Sequence, residues 1–283
     1  MPRGKTLVGV PATRQRRGEK RMKSWTLVCS VLLIVAALSL ASCMPETTPS
    51  PAISEPPSSD LIHAEPWPEA DALFRSNSKW MGSDDAYSVD LGKGRTLWLF
   101  GDTFISRSFL NTRRLSTMIR NSIAIQSGYD PSTASMEFCW RTRRGKPLSF
   151  FPEDNDTWFW PGHGVALEDK LFIFLMATQS TSEGIGFKNV GWRAVSISNP
   201  EQPPCEWELR WLNTPENPFG LIVSGSVIQV GEHILAFSVK EPEHTIHLVR
   251  WPVAEVMNED LSRPQWWAGE ENGWVLQQDL KEE

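Results

Sequence analysis

From about Ala70 onward the sequence predicts an all-β domain assembled from repeated antiparallel sheets, and two observations carry that expectation. Short apolar runs alternate with turn clusters, and no apolar pattern of period 3.6 runs long enough to build a substantial helix. Three segments also repeat one unit, Ser83 to Phe104, Gly162 to Thr178 and Gly225 to Lys240. Each reads as a small-residue start, a first strand, a polar turn and an apolar second strand: RTLWLF, KLFIFL and HILAF. The last aromatic residues of these strands, Phe100, Phe174 and Phe237, are 74 and 63 residues apart. Asn121 to Gln126, Ala194 to Ile197 and Thr245 to Arg250 supply further strands, so each step has room for a four-stranded sheet. Such repeats predict the blades of a β-propeller, whose ring typically takes about four to eight, with a stacked sandwich as the alternative. Three copies are clear, and Gly273-Trp274-Val275-Leu276 is a candidate start of a fourth before the sequence stops at Glu283.

Residues 1–43 read as an export leader rather than as part of the fold. A basic start is followed by an apolar run, Leu27 to Leu40, and then by Leu40-Ala41-Ser42-Cys43. That tetrapeptide resembles the bacterial lipoprotein signal box, which implies lipidation of Cys43 as the first mature residue. The apolar run is shorter than the roughly 20 residues of an ordinary membrane span. Met22, followed by Lys23, is an alternative start. Residues 44–69 are rich in Pro, Ser and Thr without apolar periodicity, so they predict a tether that cannot offset its own ordering entropy. The domain is expected over residues 70–283. Met44, rather than Asp, after Cys43 resembles outer-membrane sorting, which places the domain in the periplasm or at the cell surface.

Without residues 1–43, which hold eight basic and one acidic side chain, the remainder carries 20 basic against 33 acidic residues, a formal −13. That balance argues against nucleic acid or anionic lipid as a partner. Of the four cysteines, only Cys139 and Cys205 remain available for a disulfide, and none of the five histidines shares a zinc-like spacing with them. No cofactor or metal site is expected. Glu153, Asp154 and Asp156 lack the spacing of a calcium loop and read as a charged turn.

The chemistry-bearing stretch is GSDDAYSVDLGKGRTLWLFGDT, Gly82 to Thr103. Tyr87 to Leu91 and Arg95 to Phe100 predict a hairpin about the turn Gly92-Lys93-Gly94. If Leu91 pairs with Arg95, counting outward sets Asp84 opposite Asp102, whereas a one-residue slip substitutes Asp85. Opposed residues hold their Cβ atoms about 4.5–5.5 Å apart, and carboxylates that close cannot both ionise freely. Acid/base chemistry on a sugar needs such a pair. The chain holds 14 Trp against 2 Tyr, and most of the indoles, Trp98 and Trp192 among them, read as core. Trp158 and Trp160, at the entry of the second repeat in TWFWPGH, are placed where an indole could form a sugar platform. His163 stands between two glycines, where packing does not explain it. Glu241, just past the third apolar strand, is a candidate general acid, with an ordinary solvated turn as the plainer reading.

GSDDAYSVDL, RTLWLFGDTFI, Asn121-Ser122-Ile123-Ala124, WFWPGHGVALEDKLFIF and HLVRWPV resemble successive blades of the DUF4185/DUF5005 group of secreted bacterial proteins. The resemblance covers roughly Trp80 to Trp274. It implies a five-bladed propeller akin to the furanosidase-type glycoside hydrolases, some DUF4185 members being endo-D-arabinanases, and it implies site roles for Asp84 and Asp102. His163 stands where the group's pattern has Asp, and the third repeat opens on Ser224-Gly225-Ser226 without a carboxylate. The expectation is therefore a lipid-anchored glycoside hydrolase acting on furanosidic bonds of a polysaccharide. Its pair is Asp84 and Asp102, with Asp85, Trp160 and His163 binding substrate. The alternatives are a glycan-binding or envelope lipoprotein without turnover, or an inactive, truncated member of the group.

Overall fold

The computed structural model describes Ala64–Leu280, apart from Pro218 and Pro242. The expected leader, Cys43 and most of the tether lie outside the described residues. The first regular element is a short helix, Pro68–Phe74, begun by its own proline and by Glu69 and Asp71 in its first turn. It starts two residues before the expected domain boundary.

Strands β1 (Trp80–Ser83), β2 (Tyr87–Gly92), β3 (Arg95–Phe100), β4 (Thr103–Ser106), β5 (Ser116–Ile119), β6 (Ser122–Ser127) and β7 (Ser135–Cys139) build the first third of the domain. Then come a small hairpin, β8 (Arg141–Arg143) and β9 (Lys146–Leu148), and the long strands β10 (Thr157–Leu167), β11 (Lys170–Ser180) and β12 (Phe187–Ile197). The last are β13 (Leu209–Trp211), β14 (Leu221–Val230), β15 (His233–Lys240), β16 (Thr245–Pro252), β17 (Gln265–Trp267) and β18 (Trp274–Leu276). They form three consecutive antiparallel sheets, β2-β3-β6-β7, β10-β11-β12-β13 and β14-β15-β16-β17-β18, with β1-β4-β5 as a side ribbon. The fold is all-β and propeller-like. The segment expected to open a fourth repeat, Gly273 to Leu276, instead closes the third sheet, where Trp274 pairs with Trp267.

Both faces of the middle sheet are buried, which is why KLFIFL is apolar at every second position on either side. Leu171, Ile173 and Leu175 join Leu97, Leu99 and Ile123 of the first sheet. Phe172 and Phe174 face the other way and pack with Ile234, Ala236 and Trp251 of the third. Each such side chain contributes about 1.5–3 kcal/mol on burial. The helix covers the outer side of the first sheet, with the Phe74 ring 4.9 Å from that of Trp98. On the third sheet the repeat breaks down. Phe237, aligned in sequence with the buried Phe100 and Phe174, is 48% exposed, because its register turns it away from the middle sheet.

The first strands of the three sheets lie side by side, and the WPGHG stretch explains how. A Cβ on Gly162 would strike the Ser224 carbonyl oxygen of β14 and come within 2.7 Å of the Ser224 Cβ. One on Gly164 would sit 2.6 Å from the Phe172 carbonyl oxygen and 3.4 Å from Val89 of β2. Between these glycines His163 spans the gap: the Val227 N–H donates to Nδ1 at 3.0 Å and Nε2 meets the Ser88 carbonyl at 3.1 Å. Nδ1 is thus the acceptor and Nε2 carries the proton, so the native imidazole is neutral. Asn121 fastens the first two sheets in the same manner. It is fully buried and donates to the Phe151 and Phe159 carbonyls at 3.2 and 2.7 Å while accepting from the Phe151 N–H at 2.7 Å.

Two outcomes follow from these contacts. Asn121→Ala should lower stability by about 3 kcal/mol, since it strands buried backbone groups, and chemical denaturation will show whether it does. Burial lowers the His163 pKa from 6.5, so the unfolded chain binds the proton more readily. The His163 contribution is therefore complete above pH 6.5 and is lost as pH falls below that value toward the folded-state pKa. Denaturation midpoints at pH 7 and pH 5 should drop more for the wild type than for His163→Gln; equal drops would contradict the assignment.

Candidate active site

The site begins with the first hairpin. The sequence count placed Leu91 opposite Arg95 around a three-residue loop; instead Gly92 pairs with Arg95, leaving a two-residue turn. Lys93 and Gly94 both have positive φ, 53° and 76°, as that tight turn requires. The extra residue is absorbed by a bulge between Asp90 and Gly92, so Tyr87 still pairs with Leu99 and, further out, Ser83 with Thr103. Asp84 therefore does face Asp102: its N–H donates to the Asp102 carbonyl at 3.3 Å, and the Gly101 N–H donates to the Asp84 carbonyl at 3.0 Å.

Asp85 joins this pair rather than replacing Asp84. It sits in the left-handed region at φ 52°, which swings its side chain back toward Gly101. A Cβ at Gly101 would lie 2.6 Å from Asp84 Oδ1 and 2.7 Å from Asp85 Oδ2, so both carboxylates occupy the space that this glycine leaves open. The two oxygens are consequently within about 5.3 Å of each other. Burial, and then the charge of Asp102, raises the Asp84 pKa above 3.8. Burial, then Asp84 and Asp102, does the same to Asp85. Tyr87 is raised in turn by burial and by the neighbouring Asp85.

Asp102 has different surroundings. The Trp160 indole N–H donates to its Oδ1 at 2.9 Å, and Arg120 Nη1 lies 3.3 Å from its Oδ2. Arg120 arrives there because β4 and β5 pair Thr103 with Ile119, which puts residue 120 across from residue 102. Its guanidinium also lies over the Trp158 ring, 4.2 Å from the centroid. Trp158 and Phe187 complete an aromatic wall around Trp160, with centroids 5.9 and 4.9 Å away. The Trp158 indole nitrogen is buried without a hydrogen-bond partner among the described residues.

Beneath the carboxylates lies a ladder of hydroxyls. Trp80 Nε1 donates to Ser122 Oγ at 3.2 Å, Ser122 Oγ meets Thr103 Oγ1 at 2.9 Å, and Thr103 Oγ1 donates to the Gly101 carbonyl at 2.8 Å. Ser83 Oγ lies 3.1 Å from the Asp102 carbonyl. In FGDT, then, Gly101 clears the space, Asp102 presents its carboxylate, and the fully buried Thr103 fixes the turn.

The structure thus gathers Asp84, Asp85, Asp102 and Trp160. His163 does not present a free ring nitrogen: both its nitrogens are spent on backbone, and its ring centroid lies 6.1 Å from that of Tyr87. Glu241 accepts from Asn189 at 3.1 Å, and Asn189 accepts from Thr178, the residue paired with Trp158. Asp154 pairs with Thr157 in the turn before β10. Cys139 and Cys205 are free thiols, Cys139 pushed up to about 11 by burial first and then by Cys205 and Glu137. Arg120 was absent from the sequence reading. Counting the β4–β5 ribbon as the first hairpin was counted would have found it.

No curated protein matches the chain in sequence. In fold it is similar to a presumed hydrolase from Bacteroides ovatus at a TM-score of 0.58 and 14% identity, covering 76% of this chain and 58% of that one. The chain therefore spans under two thirds of that structure's length. The GH43 BlXynB protein from Bacillus licheniformis gives a TM-score of only 0.28 at 10% identity, over 61% of this chain and 39% of that one. The model of the family called domain of unknown function DUF5005 matches residues 69–283, three quarters of the sequence, and the chain belongs to that family.

Proposed function

We propose that the protein is a glycoside hydrolase acting on furanosidic bonds of a polysaccharide. The observation that carries this reading is the convergence of three carboxylates of two kinds. Asp84 and Asp85 are crowded and partly desolvated, which favours their protonated forms, while Asp102 forms an ion pair with Arg120. Glycoside hydrolysis needs those two states together: an acid to protonate the leaving oxygen, and a carboxylate to serve as nucleophile or to activate water. Asp102 takes the charged role and Asp84 the protonated one, while Asp85 keeps Asp84 company and contacts substrate. Trp160, fixed through its N–H to Asp102, offers its ring edge to a sugar. His163 acts from behind, through Ser88 and Val227, rather than by touching substrate.

The same reading places the protein outside the cytoplasm, held to a membrane by lipid on Cys43. Support for this comes from the sequence alone. Labelled palmitate should enter the wild type and not Cys43→Ala, which should be recovered in the soluble fraction; labelling of both would remove the anchor.

Against arabinan-type polymers, Asp102→Asn should lose about 10²–10⁴-fold in rate, the range typical of an acid/base group. Carboxyl NMR should show the Asp84 and Asp85 pKa values falling toward 3.8 in that variant, because a raising charge is removed. Activity should decline with rising pH as the retained proton is lost. Absence of released sugar from any furanose polymer, with binding retained, would favour a glycan-binding protein without turnover.

A further inference from the structure

We propose that the β4–β5 ribbon and the β8–β9 hairpin form a cationic cleft that receives an anionic stretch of the polysaccharide, one bearing carboxylate groups. This names the substrate class for the site above and rests on that hydrolase reading.

The charge of the domain is segregated. Between Thr103 and Pro152 the sequence holds eight basic residues and only two acidic ones, Asp130 and Glu137, within a chain that is acidic overall. Among these cations Arg120 forms the ion pair with Asp102. Arg107, Arg113 and Arg114 lie on the ribbon's tip, and Arg141, Arg143, Arg144 and Lys146 on the hairpin; all seven are exposed, and none forms an ion pair among the described residues. The two elements face one another across a shallow cleft lined by Lys79, Arg107, Phe109, Asn111, Trp140 and Thr142, with no carboxylate on its walls. Two aromatic rings, two cations and short polar groups are the set that holds a charged sugar: rings for the apolar faces, cations for the acid groups, amide and hydroxyl for the ring oxygens.

The ribbon strands run from the carboxylates to the cleft. Asp102 and Arg120 stand at the foot of the ribbon, and four residue pairs separate them from its tip, roughly 14 Å at the strand rise. Arg113 folds back over the Phe104 ring at 4.1 Å, close enough for its charge to act on Asp84. A polymer cleaved at Asp102 would therefore lay its neighbouring units along a row of cations. Phe109, 91% exposed, and Leu110, 59% exposed, cap the tip. A membrane would also accept such a tip, but the concave wall with Trp140 and Asn111 behind it suits a chain-shaped ligand better.

The test uses the full chain and four probes: polygalacturonate, alginate, neutral linear arabinan and phosphatidylglycerol vesicles. Polygalacturonate or alginate should bind, with affinity falling as salt rises. The triple variant Arg107→Gln/Arg143→Gln/Arg144→Gln should bind about tenfold more weakly, as expected when unpaired surface charges are removed. The salt series on the wild type needs no variant and so stands even if the triple variant folds poorly. Failure of both acidic polymers to bind, salt-independent binding, or vesicle binding in their place would overturn the cleft assignment. Sugar release from the arabinan is scored in parallel: acidic-polymer binding without release from arabinan would count against the hydrolase reading and leave the cleft, whereas arabinan release without binding of either acidic polymer would remove the cleft alone.

Discussion

Three inner strands meet at the centre of this molecule only because side chains are missing where they touch. Gly162 and Gly164 let β10 approach β14 on one side and β2 on the other, and His163 between them ties both neighbours by hydrogen bonds. The position of the aromatic wall relative to the carboxylates depends on that contact. Asp84 and Asp85 precede β2, and Trp158 and Trp160 open β10, so a shift of one inner strand against another would separate the carboxylates from the aromatic wall. A neutral imidazole suits the task, since it donates at one nitrogen and accepts at the other without carrying a charge into a crowded place. An Asp at this position could accept from Val227 but would meet the Ser88 carbonyl with a like partial charge.

The first hairpin shows how much of this a sequence can disclose. The sum of paired residue numbers was right although the turn was wrong, because the bulge near Gly92 restored what the tighter loop removed. KLFIFL reads as an apolar strand, and it is one, buried on both faces. What stayed hidden came from pairings between distant segments. Arg120 reaches Asp102 through the β4–β5 register, and His163 serves residues 75 and 64 positions away, which no local pattern reports. Phe237 misled for a related reason. Its resemblance to Phe174 is one of sequence, whereas exposure depends on which face has a neighbouring sheet. Asn121 likewise seemed only the start of a strand, yet its side chain fastens two sheets.

Two carboxylate environments arise from one glycine and one arginine. Gly101 admits Asp84 and Asp85 to the same small volume, where burial and mutual charge favour a retained proton. Arg120 stands beside Asp102, with its guanidinium over the Trp158 ring. An ammonium group would supply the charge but not the stacking. Asymmetry between neighbouring acids thus needs no large structural difference, only a cation placed on one side of the group.

Net charge averages over a surface that is not uniform. Among the described residues of an overall acidic chain, seven cations without an ion pair lie on one ribbon and one hairpin. Exposed charges at the ribbon tip lie beyond the Debye length of about 8 Å at physiological ionic strength and are largely screened from the carboxylates, whereas Arg113 folds back over the Phe104 ring. The cations therefore work on the site in two ways. They attract an anionic chain that the rest of the surface repels, and through Arg113 they moderate the rise in the Asp84 pKa that burial and Asp102 impose. Arrival of an anionic polymer would offset that cationic field and strengthen the hold of the acid on its proton. Arg113 is the one of these arginines whose charge bears on the Asp84 proton.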